Sequence, residues 1–384
     1  MSWSPFDFAT AGRVVFGAGR AAELAAIAAG LGSRALVCAG SDPSRHARLL
    51  AGLTVAGEVF RVGGEPTVEL ARAAAAAARE SGADLVVAVG GGSVLDLGKA
   101  AAVLLGNGGD PLDYLEVVGR GRPIIRPAAP CVAVPTTAGT GAEVTANAVL
   151  ASPGDGLKAS LRSPLMIPAV ALVDPLLTLG CPPAVTASAG LDALTQCLEP
   201  FVSVRANPLT DGLARAGLGH AAAGLRPAYA DGADTDARTH LSLGSLLGGM
   251  ALANAKLGAV HGFAGVVGGL VAVPHGAACA ALLAPTVEVT VAALRSRASG
   301  NPALDRYAEA ARLLTGRPGA SVEDGLDWIR ETVRLLDVPP LGAYGLRPGQ
   351  ADDVVAKAAR SSSMQGHPIE LADRELHEIL AAAS

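Results

Sequence analysis

From Arg13 to Asp174 the chain alternates between short apolar runs rich in β-branched residues and longer stretches rich in alanine and leucine. RVVFGAG (13–19), RALVCAG (34–40), GEVFRV (57–62), DLVVAVG (84–90), CVAVP (131–135) and VALVD (170–174) read as strands. AAELAAIAAGL, the residues around SRHARLLAGL, the stretch from Thr67 to Ser81 and the segment after Gly92 carry helical patterns between them. This alternation predicts a parallel sheet wrapped by helices. The run Ala73 to Ala78 lies inside the helix from Thr67 to Ser81, where alanine expresses helix propensity and does not mark a linker.

Beyond Asp174 the β-branched runs disappear, and Ala/Leu/Gly stretches at helical spacing continue to the end. DPLLTLGCPPAV marks the change, since paired prolines interrupt regular structure and suit the first turn of a following helix. The expected division is an α/β domain over residues 1–177 and an all-helical domain over 178–384. Leu257 to Val287 contains no formally charged side chain and is longer than the roughly 20 apolar residues that cross a bilayer. His261, His275, Pro274 and Pro285 interrupt it, and ionisable groups are costly at membrane depth, so two buried helices broken near Pro274 are predicted and no membrane contact.

Half of the 384 residues are hydrophobic and 17% are charged, enough apolar material for a large packed core. The 30 Lys+Arg against 35 Asp+Glu leave a net charge of -5, which gives no electrostatic footprint for nucleic acid and points to a small-molecule ligand. Cys38, Cys131, Cys181, Cys197 and Cys279 are odd in number, scattered and never in a CxxC pair. That usage fits a reducing compartment, and with no export or transit signal at the N-terminus the expected location is the cytoplasm.

Candidate chemistry begins at VVAVGGGSVLDLGKA (86–100), where a buried strand, a glycine turn and a helix start form one unit. Gly90, Gly91 and Gly92 allow close backbone approach, and the helix N-terminus adds partial positive charge, so a pyrophosphate could sit over Ser93. A ligand-free turn is the competing reading, and the spacing is not GxGxxG. VPTTAGTGAEVT (134–145) follows another strand with hydroxyl and amide donors suited to a nucleotide, or able to satisfy their own backbone. In TASAGLDALTQCLEPFVS (186–203), Asp192 and Gln196 share a helical face. Asp192 with His261 and His275 would make a three-ligand site with an open position, suited to zinc or ferrous iron, although each residue taken alone is more often a satisfied core group.

Five ordered blocks, GGGSVLDLGKA, PTTAGTGAEVT, LRSPLMIPAVALVDP, GLDALTQCLEPFVS and NAKLGAVHGFAGVVGGLVAVPHGAACAALLAP, resemble the iron-containing (group III) alcohol dehydrogenases over nearly the whole chain. The resemblance implies a dehydroquinate synthase-like architecture: an N-terminal α/β dinucleotide-binding domain, an all-α C-terminal domain, and a cleft where nicotinamide meets a metal-bound alcohol or aldehyde. It implies that Gly91, Gly92 and Ser93 hold the pyrophosphate and that Asp96 lies near the nicotinamide end. Thr136, Thr137 and Thr140 surround the nucleotide, Lys158 lies near the ribose, and Asp192, His261 and His275 hold Fe2+ or Zn2+. It also implies a homodimer or higher homo-oligomer.

Two positions depart from the family pattern. Gln196 stands where DAxxHxxE has its histidine, and Gly265 where HxxxH has its second. An amide oxygen is a weaker ligand than imidazole, so Gln196 is a marginal fourth ligand, and no proton relay can pass through Gly265. Small residues at Gly262, Ala264 and Gly265 suggest room for a substrate larger than ethanol. NAD-preferring members carry an acidic residue directly after the second strand, whereas this strand ends in Gly40 and Ser41, with Asp42 late and Arg45 nearby. NADP is therefore expected to be accepted as well as NAD. The leading reading is a metal-assisted NAD(P)-dependent alcohol dehydrogenase or carbonyl reductase. Its rivals are a metal-independent maleylacetate-type reductase and a non-catalytic nucleotide-binding or interaction protein.

Overall fold

The computed structural model describes residues 5–155 and 157–384. Its contacts divide the chain into two compact units, Ala9–Thr137 with Gly141–Thr178, and Leu179–Ser384 with Ala138–Thr140 and the described residues up to Phe8.

The first unit contains strands β1 (Arg13–Phe16), β2 (Ala35–Gly40), β3 (Ala56–Val62), β4 (Leu85–Gly90), β5 (Cys131–Pro135), β6 (Asn147–Ser152), β7 (Leu157–Arg162) and β8 (Val170–Val173). Six form a parallel sheet in the order β1-β8-β5-β4-β2-β3. Apart from the half-buried Gly40, β2, β4, β5 and β8 are buried throughout, as unbroken apolar runs require when both faces are covered. Alternate side chains pack oppositely. Leu36, Cys38, Val86, Ala88 and Ala133 join the helices Val68–Glu80 and Gly92–Asn107, while Val37, Val87, Val89, Val132 and Leu172 join Leu24 and Ile27 on the other face.

Local signals set the element ends. Thr67 caps the alanine-rich helix by accepting from the Leu70 N–H at 3.1 Å. Gly98 lets the helix after β4 lie close to the sheet, since a Cβ there would stand 2.6 Å from Ala88 Cβ. The antiparallel hairpin β6–β7 was not expected from the sequence. Its strands are short and alternate between half-buried and buried positions, a weak signal beside the apolar runs of the main sheet. Asp96 Oδ2 ties it down by accepting from the Val149 N–H at 3.1 Å.

In the second unit the helices Pro183–Val202, Pro208–Ala230, Thr235–Ala255, Ala259–Leu270, His275–Arg297, Ala303–Thr315, Val322–Leu335, Ala351–Ala359 and Asp373–Ala383 share one core. The uncharged run does form two helices separated just before His275, with Pro274 capping the second. His275–Arg297 is long and apolar enough to cross a bilayer, but 78% of its apolar window is buried inside the protein. That burial makes it a core helix.

Candidate active site

At the carboxyl edge of the sheet, the strand order reverses between β2 and β4, the place where open α/β sheets leave a crevice for ligands. Ala39 pairs with Val89, so Gly40 with Ser41 and Gly90 with Ser93 flank this point. Thr136 follows β5 and its N–H donates to Gly90 O at 2.9 Å. None of Gly90, Gly91 and Gly92 has positive φ, so close approach explains the glycines rather than unusual backbone angles. A Cβ at Gly90 would overlap Val94, and one at Gly91 would lie 3.3 Å from Thr137 Oγ1. The helix Gly92–Asn107 starts with no side-chain cap, leaving its first N–H groups to an anion.

Other residues expected at the nucleotide have structural partners. Asp96 Oδ1 lies 3.0 Å from the fully buried Lys99 Nζ, which also donates to Thr145 Oγ1 at 2.9 Å. Lys158 Nζ, on β7, pairs with Glu65 at 2.5 Å. Asp42 accepts from the Ser44 N–H at 3.1 Å and caps its own turn. Thr140 belongs with the helical unit, and Thr136 and Thr137 with the sheet, which splits the expected threonine group.

Within the helical unit, Asp192 and Gln196 project from Pro183–Val202, His261 from the first turn of Ala259–Leu270, and His275 from the first residue of His275–Arg297. The last helix approaches the first because residue 276 is glycine; a Cβ there would overlap the Ser188 carbonyl. His261 Nε2 lies 3.3 Å and His275 Nε2 3.9 Å from Asp192 Oδ1. The two imidazole rings stand 5.4 Å apart. No well-aligned hydrogen bond joins His261 Nε2 to Asp192 Oδ1, and both atoms, with Gln196 Oε1, are buried without a hydrogen-bond partner. Orphaned Asp192 Oδ1 and His261 Nε2 so close together call for a ligand or ion, because buried polar atoms are otherwise satisfied.

Glu199, one turn beyond Gln196, fixes the imidazole from behind. Its Oε2 accepts from His261 Nδ1 at 2.7 Å and its Oε1 from the Val260 N–H at 2.7 Å, so His261 Nε2 is turned toward Asp192. His367 lies against the same segment, its Nδ1 accepting from the Ala259 N–H at 3.2 Å, and burial pushes its pKa down to about 4. Burial also opposes charge on His261, but Cys279, Asp192 and Glu199 outweigh it and hold its pKa well above 6.5. Cys279, against burial and with help from Asp192, raises His275 to about 9. Burial pushes Asp192 up, yet His261, His275 and Cys279 bring it below its ordinary value. The cluster therefore favours positive charge at its centre, whether protons or a cation. Its donor set of carboxylate, amide oxygen and two imidazoles fits a divalent metal.

Residues 11–175 match the iron-containing alcohol dehydrogenase model, and residues 186–384 match the C-terminal model of the Fe-containing alcohol dehydrogenase family. The chain belongs to the iron-containing alcohol dehydrogenase family. It is 35% identical over 322 residues to a 4-hydroxybutyrate dehydrogenase of Cupriavidus necator, covering 82% of this chain and 81% of that protein. Identity to long-chain-alcohol dehydrogenase 1 of Geobacillus thermodenitrificans is 43% over 219 residues, 57% of this chain; the match spans about half (55%) of that relative's length. A crystal structure of 1,3-propanediol oxidoreductase superposes with TM-score 0.90 at 30% identity, covering 99% of this chain and 100% of that one.

As a member of the iron-containing alcohol dehydrogenase family, the chain keeps Asp192, His261 and His275 together, with Gln196 one turn along the helix from Asp192. Gly265 is exposed, and a Cβ there would meet nothing within 4 Å. Of the other two small residues expected at substrate space, Ala264 is fully buried core and Gly262 packs against Ser361 and Met364. Glu199, His367 and Cys279 also belong to this neighbourhood, beyond the residues expected from the sequence. Glu199 had a local signal, since it lies at helical spacing from Gln196 and Asp192; His367 had none.

Proposed function

We propose that the protein is an NAD(P)-dependent oxidoreductase that interconverts an alcohol with an aldehyde or ketone by hydride transfer, assisted by a divalent metal. The meeting of orphaned Asp192 Oδ1 and His261 Nε2 carries this reading, with His275 beside them. A divalent iron or zinc ion held there would supply Lewis acidity toward an alcohol or carbonyl oxygen, an effect worth several kcal/mol in a dry site. NAD(P) would supply or accept the hydride.

The chain's own groups divide the remaining work. The backbone N–H groups after Gly91 bind phosphate, with Gly40 and Ser41 at the neighbouring strand end and Thr136 and Thr137 alongside. Glu199 holds the proton on His261 Nδ1 and fixes the ring. Asp192 and His261 are buried, whereas 39% of the His275 side chain is exposed, so the donor cluster is open to solvent and substrate on the His275 side. Asp42 caps its own turn through Ser44 and does not directly follow β2, which supports acceptance of both NAD and NADP.

Small alcohols and aldehydes are the substrate class. A homodimer or higher homo-oligomer in the cytoplasm completes the proposal. Elemental analysis of chelator-free protein should give about one iron or zinc per chain, and aldehyde reduction should proceed with NADH or NADPH. Undiminished reduction by His261→Ala, or full activity of protein that neither contains nor takes up metal, would remove the metal from the reading. The latter result would favour the maleylacetate-type alternative.

A further inference from the structure

Cys279 lies one turn beyond His275 on the helix His275–Arg297, so the two side chains leave the same face. Its side chain is fully buried and forms no disulfide. Its Sγ is 3.7 Å from His275 Nε2, and one donor atom from each of Asp192, His261, His275 and Cys279 lies within 4.8 Å of every other. Resting on the metal reading above, we infer that Cys279 is a thiolate ligand of the same ion and that the resulting Asp192, His261, His275 and Cys279 site selects zinc over iron.

Spacing is the first support. Zinc bonds of about 2.0–2.3 Å at tetrahedral angles put neighbouring donor atoms roughly 3.3–3.7 Å apart. The three separations, 3.3 Å for His261 to Asp192, 3.7 Å for Cys279 to His275 and 3.9 Å for His275 to Asp192, are close to that range. The second support is the unpartnered state of Asp192 Oδ1 and His261 Nε2, both buried and directed into the same space as the thiol. Charge is the third. Among the donors that would face the dication, Asp192 is the anion beside two imidazoles, and a thiolate from Cys279 would add a second negative donor. Thiolate is also the softest donor in the cluster, which favours zinc over ferrous iron when both are present. The ligand lost at Gln196 is thus replaced from another helix, and a substrate oxygen would be accommodated as a fifth ligand, an expansion that zinc allows.

The test loads full-length protein with cobalt(II) and records the near-ultraviolet thiolate-to-cobalt charge-transfer absorption. Wild type should show the band. Cys279→Ala should lose it while still binding cobalt, and Cys181→Ser, which changes a cysteine outside the cluster, should retain it. Protein metallated in an equimolar zinc and iron mixture should hold mostly zinc, and Cys279→Ala should shift that ratio toward iron by tenfold or more. If the alanine variant does not fold, X-ray absorption of the zinc-loaded wild type decides, with one sulfur expected at about 2.3 Å. Bound metal surrounded only by nitrogen and oxygen would overturn this inference and leave the metal reading intact. Failure to take up zinc or cobalt at all would overturn both.

Discussion

At the edge of the sheet, the candidate phosphate donors are backbone N–H groups fixed by a few consecutive residues after β4, whereas in the helical unit the donors are side chains contributed by three separate helices. The first arrangement depends on what is missing, because the glycines leave room. The second depends on carboxylate, amide and imidazole groups held buried without ordinary partners. A similar contrast separates two buried acids. Asp192, beside imidazoles, is drawn below its ordinary pKa despite burial, whereas burial raises Glu143 from 4.5 to about 7, only partly opposed by Lys99. A buried carboxylate is stable as an anion only where positive partners outweigh its lost hydration.

The strongest way to break the comparison is to remove a side-chain donor. His261→Ala should abolish stoichiometric metal and lower kcat/KM for aldehyde reduction by about a thousandfold or more, while the KM for NAD(P)H stays near wild type. Elemental analysis and steady-state kinetics read both effects. An equal loss of cofactor affinity would mean that the two regions do not do separate work.

Glu143 offers a pH test of the sheet-side acid. Its folded pKa of about 7 exceeds the ordinary 4.5, so the native chain keeps a proton that the unfolded chain releases between those values. Stability contributed by this group therefore falls as pH rises through that window. Glu143→Gln should be nearly neutral at pH 4.5 and stabilising by up to about 3 kcal/mol at pH 8, measured by denaturant titration at both pH values.

Glu199→Gln sharpens the helical side. The amide keeps the shape but weakens the hold on His261 Nδ1, so metal affinity should fall by about 10- to 100-fold in chelator competition, with little change in the KM for NAD(P)H. The smallest effect is expected at the glycine turn. In Gly91→Ala the added methyl has 3.3 Å to Thr137 Oγ1, and it crowds the helix start without forcing the strand apart. The KM for NAD(P)H should rise about tenfold, equivalent to about 1.4 kcal/mol, with metal content unchanged. Gly90→Ala should instead lower the melting temperature, because its methyl overlaps Val94, and Val94→Ala should recover part of that loss.

Much of the fold is legible in the sequence. The apolar runs located the six strands of the main sheet, Thr67 and Pro183 marked helix starts, and Pro274 separated two core helices, because each depends on contiguous residues or a fixed backbone preference. The sequence also identified Asp192, Gln196, His261 and His275 as one candidate set through their motif blocks. It could not supply the hairpin of β6 and β7, whose short strands depend on pairing and on the Asp96 anchor. It could not place His367 against the backbone before His261 or Cys279 against Asp192 and His261, since residue spacing along one helix does not say what another helix brings to it. Nor could it distinguish a glycine needed for an unusual φ from one needed for space; Gly90, Gly91 and Gly276 were settled by the groups their missing side chains would have struck. Strand and helix formation are local choices of the backbone, so the sequence by itself determined them. The donor cluster arises from close packing between distant segments, so only the tertiary structure could decide which donors meet.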